Sequence, residues 1–485
     1  MCEFSNAARR SEVQIGFFGL LLVVQSCELE RSNILAEMES RFMKTMGQII
    51  FVVVAFSSVA VAAEPTGTSN PTTALIDYVN RPEPAFAWKL KENQNTEAGT
   101  VYRVELTSQE WHGITWKHPL NIYEPPKISY PHHVLLFVTG GRNGQEPSQS
   151  NIDSGLKLAH LTGARVAVLH QVPNQPLLGD RREDNLITET WLRFLKTGDK
   201  TWPLLFPMVK SAVKAMDAVE AIAKTQWKQP VKGFVITGAS KRGWTSWLTP
   251  VADKRIIATA PIVIDVLNFR AQMQHQLDTW GKFSEQIIDY SSKGLIVHGR
   301  DETPRETELR TMMDPYNYRA QLKLPKLLIN GTNDQYWVVD AMRLYWDDLV
   351  GPKFVLQVPN AGHSLKGGRE SAYTTLAAFF RMNAAGAKLP QIKWQHSHTE
   401  SEITLKINSS PPAKTAMLWT AHSETKDFRK SKWNPRPLES NDGAYLGRVA
   451  KPAKGHLAMY GEVQFEFDGL KYSLSTLIHR DGGVR

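Results

Sequence analysis

The 485-residue sequence contains very little cysteine: Cys2 and Cys27 are the two present, and both lie near the N-terminus. The rest of the chain therefore has no disulfide framework, no cysteine-based zinc site and no cysteine nucleophile. Histidine does not replace cysteine here, because the His132-His133 pair has no ligand partners at metal-binding spacing. We expect neither a metal nor a cofactor.

Concentrated positive charge is also missing, although the formal net charge is +9. Lys and Arg are scattered among acidic residues, and the chain carries no nucleic-acid recognition motif. We therefore expect a solvated surface and no nucleic-acid partner. Internal repeats and low-complexity tracts are absent from the sequence, and the apolar fraction of 42% is typical of a globular protein.

A hydrophobic run long enough for a comfortable membrane span is missing as well. Residues 43–63 instead combine a basic start, an apolar run over 49–62 and small residues before the acidic one that follows. This three-part pattern is typical of a secretory signal peptide. We predict export to the periplasm or the extracellular space after cleavage near Ala63, with no stable membrane span in the mature chain. A second apolar run upstream suggests that residues 1–42 are an extension from an over-early start codon.

The remaining sequence divides by its hydrophobic patterning. After a Pro/Gly/Thr/Ser-rich linker over 64–77, residues 78–125 read as short antiparallel strands. Buried strands then alternate with amphipathic helices, one predicted over 206–224 and another over 336–349. This alternation predicts a mostly parallel sheet with helices on both faces.

We place this α/β domain at 78–388, with a polar, aromatic, lid-like insertion over 266–322. Period-two alternation returns after residue 384, and Asp468-Gly469 has the composition of a hairpin turn. Residues 391–485 are therefore predicted to form an appended β-sandwich of the immunoglobulin type.

The chemistry centres on the stretch "GFVITGASKRGWTSWL", where Ser240 lies between a predicted strand and a predicted helix. Its glycine spacing is one residue longer than the G-x-S-x-G elbow, so the motif alone does not identify a nucleophile. A serine nucleophile needs a base and a carboxylate that orients the base. Asp334 and His363 follow two later strands, and the order Ser240, Asp334, His363 is that of an α/β-hydrolase. We predict this triad and this fold.

Other residues near the triad have less specific signals. Asp265, after the strand "APIVID", is an alternative acid. The amide of Lys241 and the turn carrying Gly140 and Gly141 are candidate oxyanion donors, although a plain tight turn explains the glycines equally well. The charges of Lys241 and Arg242 either favour an anionic substrate or face solvent.

Aromatic residues gather near the same loops. Trp244 and Trp337, together with Arg242, are candidate residues of the substrate cleft, although packing in the core explains many such aromatics. The charged loop "GDRREDN" fits either a binding loop or a salt-bridged structural loop.

Several segments together resemble the PhoPQ-activated pathogenicity-related protein family, which includes the autocrine proliferation repressor proteins of amoebae. They are "VPNQPL", "REDNLITETW", "GFVITGASKRGWTSWL", "APIVIDVLNF", "DPYNYRAQLKLPKLLINGTNDQYW", "VPNAGH" and "LWTAHSETKDFRKSKW". The resemblance runs from about residue 75 to about 480. It implies an exported α/β-hydrolase-like protein with a β-rich C-terminal domain, and in enterobacteria a link to envelope stress and virulence.

Two functions follow from this reading. The first is an exported serine hydrolase of the esterase or peptidase type, which forms an acyl-enzyme on Ser240 and acts on a small-molecule, peptide or glycan ester. The alternative is a secreted binding or signalling protein that keeps a hydrolase fold without needing catalysis.

Overall fold

The structure, a computed structural model, describes residues 72–481. The predicted signal peptide at 43–63 and the extension at 1–42 lie outside these residues. Residues 74–77 of the predicted linker form the start of the first described helix, in which Leu75 is fully buried.

One large sheet organises the residues before 391. Its nine strands, counted within the described residues, run in the order β1-β2-β3-β5-β4-β6-β7-β8-β9. The strands are β1 Ala87–Thr96, β2 Gly99–Trp111, β3 Ile114–Glu124, β4 His133–Val138, β5 Arg165–Leu169, β6 Gly233–Ala239, β7 Ile256–Ile262, β8 Lys326–Gly331 and β9 Lys353–Val358. The first three pair antiparallel, as predicted for residues 78–125, and β3 pairs antiparallel with β5. In the sheet order β5-β4-β6-β7-β8-β9, every pair of neighbouring strands is parallel.

Helices cover both faces of this sheet because the buried strands are apolar on both sides. They are α1 Ala74–Asn80, α2 Gln149–Thr162, α3 Glu183–Thr197, α4 Leu205–Ile222, α5 Lys241–Ala252, α6 Phe269–Trp280, α7 Ile288–Ser291, α8 Pro304–Met313 and α9 Arg369–Ala384. In β4, Val134 and Leu136 join the core beneath α4, whereas Leu135 joins the opposite core beneath α9. This is the predicted α/β-hydrolase fold.

Two predicted helices have different outcomes. The helix predicted over 206–224 is present as α4. The prediction of a helix over 336–349 is wrong, because this segment contains only a 3-10 turn at Ala341–Leu344. Buried polar contacts explain the difference: Asp340 pairs with His275, and the Tyr345 hydroxyl donates to Asp265. Tertiary partners here outweigh helical periodicity.

The residues after 390 form two antiparallel sheets, ordered β10-β11-β15-β14 and β13-β12-β16-β17, with β18 beside β16. Their bounds are β10 Gln391–His398, β11 Glu402–Ser410, β12 Thr415–Ser423, β13 Asn434–Leu438, β14 Ser440–Asn441, β15 Ala444–Ala450, β16 His456–Phe467, β17 Leu470–Ser475 and β18 His479–Arg480. Inner residues such as Leu405 and Met459 share one core. Asp468 and Gly469 both have positive φ at the β16–β17 hairpin, as their composition predicts.

The two parts of the described chain are joined directly. Strand β17 packs on α9, where the Thr375 hydroxyl donates to the Ser473 carbonyl at 3.3 Å. The amide of Gln357 in β9 donates to the Ser475 hydroxyl at 3.0 Å. The C-terminal sheets are therefore attached near the edge of the large sheet, next to the loop that follows β9.

Candidate active site

Ser240 occupies a sharp turn between β6 and α5, with φ of 56° and ψ of −125°. A non-glycine residue rarely adopts such a conformation, and strained backbone of this kind gathers at functional sites. The Ser240 amide donates to the Ile262 carbonyl of the neighbouring strand at 2.8 Å, which holds the turn in place.

Two glycines make this turn possible. A Cβ atom on Gly238 would lie 2.7 Å from the carbonyl oxygen of Arg242, and one on Gly243 would lie 2.7 Å from Cγ2 of Ile264. Any side chain would therefore push the helix away from the strand. The longer "GASKRG" spacing is thus compatible with a tight strand-to-helix elbow.

His363 and Asp334 lie in the loops after β9 and β8. Nδ1 of His363 is 2.8 Å from Oδ2 of Asp334, and Oδ1 of the same carboxylate accepts the Tyr336 amide at 2.9 Å. Because a carboxylate only accepts hydrogen bonds, Nδ1 carries the proton in the neutral ring and Nε2 is left as the base. Within residues 72–481, Nε2 is buried and has no hydrogen-bond partner.

The alternative acid, Asp265, has different surroundings. It is buried and accepts a hydrogen bond from the Tyr345 hydroxyl. Burial raises the pKa of Asp265 to about 7. Its hydrogen bonds within the described residues do not include His363, so the geometry favours Asp334 as the partner of the histidine.

Of the predicted oxyanion donors, Lys241 lines the pocket of Ser240, whereas Gly140 and Gly141 do not. Lys241 begins α5, lines the same pocket as Ser240, and its amide makes no hydrogen bond within the described residues. Gly140 and Gly141 follow β4 and are not among the residues that line the pocket. The space at Gly140 is filled by Arg242, whose Nη2 would be 2.5 Å from an added Cβ atom.

The cations beside Ser240 are paired with acidic side chains of α3. Nζ of Lys241 is 3.0 Å from Oδ2 of Asp184, and Arg242 makes two hydrogen bonds to Glu183, at 2.7 and 2.8 Å. Burial by itself would raise the pKa of Glu183, but Arg242 and then Lys241 outweigh this effect and lower the pKa to about 2.

The interpretation that Lys241 and Arg242 face solvent is therefore wrong, because both side chains are buried, whereas the attraction for an anionic substrate stays a prediction. Arg242 is buried, donates through Nε to the Val172 carbonyl at 2.5 Å, and does not line the pocket. The "GDRREDN" loop contributes at least Glu183 and Asp184 as salt-bridge partners.

A pocket with a cavity volume of about 130 Å³ opens at Ser240 and His363. The predicted cleft residues Trp244 and Trp337 both line it. Much of the remaining wall comes from the lid-like insertion at 266–322. No sequence motif identifies the individual residues of the insertion that line the pocket. The lining residues from the insertion and from α3 are mostly apolar and include Trp191, Leu195, Phe269, Met273, Ile287, Tyr290, Leu295, Ile296, Val297 and Leu309.

Most charged groups that line the pocket have an ionic or polar partner, and the exposed Arg270 is the exception within residues 72–481. Glu302 accepts from Arg310 at 2.8 Å, Glu306 accepts from Arg300 at 2.6 Å, and Asp184 accepts from the Tyr290 hydroxyl at 3.0 Å. Residues 72–481 contain no cluster of three or more His, Cys, Asp or Glu side chains suited to a metal ion. In the same part of the chain, every helix is too short or too polar to cross a bilayer.

Comparison with known proteins gives a consistent family match. Residues 75–429 match the family described as PhoPQ-activated pathogenicity-related protein. The chain is 32% identical over 430 residues to Autocrine proliferation repressor protein A of Dictyostelium discoideum, covering 81% of this chain and 86% of that protein.

Similar solved structures include esterases. An acetyl xylan esterase from Paenibacillus sp. R4 has a TM-score of 0.47 at 13% identity, covering 64% of this chain and 95% of that one. A glucuronoyl esterase from Solibacter usitatus has a TM-score of 0.41 at 12% identity, covering 63% and 91%.

Proposed function

The chain belongs to the PhoPQ-activated pathogenicity-related protein family, and we propose that it is a serine hydrolase that cleaves esters or amides through an acyl-enzyme on Ser240. The observation that carries the proposal is the setting of His363, which lines the same pocket as Ser240: Nδ1 is held by Asp334, and Nε2 has no hydrogen-bond partner within the described residues. These are the three roles that serine catalysis requires.

The proposed reaction uses each group at a defined atom. Nε2 of His363 takes the hydroxyl proton as Oγ of Ser240 attacks the substrate carbonyl carbon, and the Lys241 amide donates to the resulting oxyanion. The imidazolium then returns the proton to the leaving alcohol or amine as the acyl bond breaks. Water, deprotonated by the same nitrogen, attacks the acyl group and restores Ser240. Asp334 keeps the ring in the required tautomer and stabilises the imidazolium.

The pocket favours an apolar group on the substrate. Its cavity of about 130 Å³ is slightly smaller than an engineered cavity of about 150 Å³ that accepts benzene in another protein, so a short acyl chain or one ring would fill it. Its acidic side chains and Lys241 are paired, whereas Arg270 is exposed and has no ion-pair partner within the described residues, so the attraction for an anion is confined to that position. We therefore assign to this site esters with a short, uncharged aliphatic or aryl acyl group.

A fluorophosphonate probe tests the proposal, because it modifies only an activated serine. We expect one adduct, located by mass spectrometry on Ser240, and none in the Ser240→Ala variant. The matched control is Ser246→Ala: Ser246 lies on the same helix, is buried, and donates to the Arg242 carbonyl instead of lining the pocket. Labelling of folded wild-type protein at another serine, or none, would refute a Ser240 hydrolase.

A second candidate function rests on the family relative, whose name describes a repressor of proliferation. In this case the hydrolase fold would serve as a binding or signalling protein. The Ser240→Ala variant separates the two: full biological activity of a folded, unlabelled variant favours binding, whereas its loss favours catalysis.

Export remains part of the proposed function. The support is the three-part pattern of residues 43–63. N-terminal sequencing of protein recovered from the periplasm or medium should find a start at Ala63 or Glu64, and a start at Met1 would contradict export by cleavage.

A further inference from the structure

A segment of the C-terminal part reaches the two loops that carry the proposed acid and base. Residues 424–433, called here the bracing loop, connect β12 with β13. They approach the loop after β8, which carries Asp334, and the loop after β9, which carries His363. The proposed triad therefore depends on loops that are themselves held from outside the large sheet.

The first attachment is Asn333, the neighbour of Asp334. Its Nδ2 donates to the carbonyl oxygen of Ser431 at 2.7 Å, with longer contacts of 3.3 and 3.4 Å to those of Arg429 and Phe428. Three carbonyl oxygens thus surround one amide group, which fixes the Asn333 side chain and with it the backbone that leads into the acid.

The second attachment is Asn360, three residues before His363. Its side chain pairs with the backbone of Trp433 in both directions: Nδ2 donates to the Trp433 carbonyl at 2.9 Å, and Oδ1 accepts the Trp433 amide at 2.8 Å. Asn360 also has a positive φ of 56°, a conformation that asparagine tolerates better than most residues.

The bracing loop is itself anchored. Phe428 and Trp433 are each 1% exposed and belong to a small apolar cluster with Tyr460. The Arg429 guanidinium lies 4.0 Å from the ring centre of Trp280, which belongs to the insertion. The loop therefore presents its carbonyl groups from a packed position.

We propose that the bracing loop aligns the acid and the base, with Asn333 and Asn360 as positioning residues. This inference rests on the proposed hydrolase function. The 2.8 Å contact between His363 and Asp334 joins two separate loops, so their relative position decides whether Nε2 faces Ser240. Misplacement of a catalytic group by about 1 Å can cost a factor of about 100 in rate.

The test uses the full chain with 4-nitrophenyl butyrate and a fluorophosphonate as probes. For Asn333→Ala and Asn360→Ala we expect kcat to fall by roughly 10- to 100-fold and the rate of Ser240 labelling to fall in parallel. KM should change by less than about twofold, because neither residue lines the pocket.

Asp468→Ala is the matched control. Asp468 also joins the two parts of the described chain, through the Tyr130 hydroxyl at 2.9 Å and Arg381 at 3.0 Å, but contacts neither loop. We expect its kcat to stay within about twofold of wild type, even if its melting temperature falls as much as that of Asn360→Ala. Equal losses of kcat in the control and in Asn360→Ala would overturn a specific positioning role.

The Asn360→Asp variant provides a nearly isosteric comparison that also serves if Asn360→Ala does not fold. It keeps the acceptor for the Trp433 amide but places a carboxylate oxygen against the Trp433 carbonyl oxygen, which repels it, so its kcat should also fall by roughly 10- to 100-fold. If the Asn333→Ala and Asn360→Asp variants keep the kcat of wild type, and the fluorophosphonate labels wild-type protein, the positioning role is refuted and the proposed hydrolase function is not. Absence of labelling and of hydrolysis in folded wild-type protein refutes the proposed function instead.

Discussion

At the residue scale, the two buried carboxyl groups near the pocket differ in their partners. Asp334 contacts the ring of His363 at 2.8 Å, whereas Asp265 receives a hydrogen bond from Tyr345. Both residues follow strands of the parallel sheet, which is why the sequence leaves them as alternatives. Their different neighbours assign them different tasks.

Replacing the acid should affect turnover far more than replacing its competitor. In Asp334→Asn the amide no longer stabilises the imidazolium and favours the wrong tautomer, so we expect kcat to fall by roughly 1,000- to 10,000-fold, as for the equivalent change in a serine protease. The control Asp265→Asn should lose less than about tenfold. Steady-state kinetics on 4-nitrophenyl butyrate measure both, and a reversed order would make Asp265 the acid.

Asp265 should instead control the pH dependence of stability. Burial raises its pKa from 3.8 to about 7, so the folded state holds this proton to higher pH than the unfolded chain. Its contribution to stability is complete below about pH 4 and is lost as pH rises through 7. Melting temperatures of wild type should therefore fall relative to Asp265→Asn between pH 4 and 7. A constant difference across this range would contradict the assignment.

The residue scale also marks a limit of sequence reading. The order Ser240, Asp334, His363 can be read from the chain because parallel strands place their carboxyl ends at one edge. The pairing of Lys241 and Arg242 with Glu183 and Asp184 cannot be predicted from the sequence, because the acidic partners lie more than fifty positions upstream and no local pattern connects them.

At the element scale, the insertion at 266–322 forms much of the pocket wall. Its helices α6 and α8 contribute Met273 and Leu309, and the stretch between them contributes Leu295. The sequence indicates an insertion, since it interrupts the alternation of strands and helices. It does not indicate which side chains face Ser240, because the short helices are positioned by tertiary contacts.

Filling the pocket should change substrate preference. In Leu295→Trp the larger ring would occupy part of the cavity of about 130 Å³, so KM for 4-nitrophenyl butyrate should rise by about tenfold while hydrolysis of the acetate ester changes little. Ile288→Trp is the control, because Ile288 is 60% exposed, belongs to the same insertion and does not line the pocket. Equal effects of the two variants, or equal loss of both esters, would place the acyl group elsewhere.

At the scale of the whole described chain, a buried ionic group joins the large sheet, the insertion and the C-terminal strands. Asp340 lies 2.7 Å from Nε2 of His275 in α6 and 3.4 Å from Nε of Arg480 in β18. Both Asp340 and Arg480 are almost fully buried. Removing one member leaves a buried charge with fewer partners.

Arg480→Met should therefore destabilise the chain by about 2 kcal/mol, below the range for an unpaired buried charge, because His275 and Arg343 still pair with Asp340. Arg448→Met is the control: Arg448 is exposed on β15, and its change should stay within about 0.5 kcal/mol. Urea denaturation measures both free energies of unfolding. Equal stability of the two variants would show that the buried group adds nothing to the joint.

The contacts between the large sheet and the C-terminal strands are the hardest feature to predict from the sequence. Alternation of apolar residues indicates the C-terminal strands, and Asp468-Gly469 indicates a hairpin, because both signals are local. The contacts of Asn333 and Asn360 with residues 424–433 join positions far apart in the chain, and both asparagines look like ordinary turn residues in the sequence.

The bracing loop also has an evolutionary consequence. Asn333 and Asn360 bind its main-chain groups, which nearly every amino acid presents alike, and exposed side chains such as Lys430 and Lys432 take no part. The exposed positions 430 and 432 should therefore tolerate substitution, whereas the length of the loop should not change. Related chains should keep the buried Phe428 and Trp433 and resist single-residue insertions or deletions, and proline at position 433 should be excluded because the Trp433 amide is a donor.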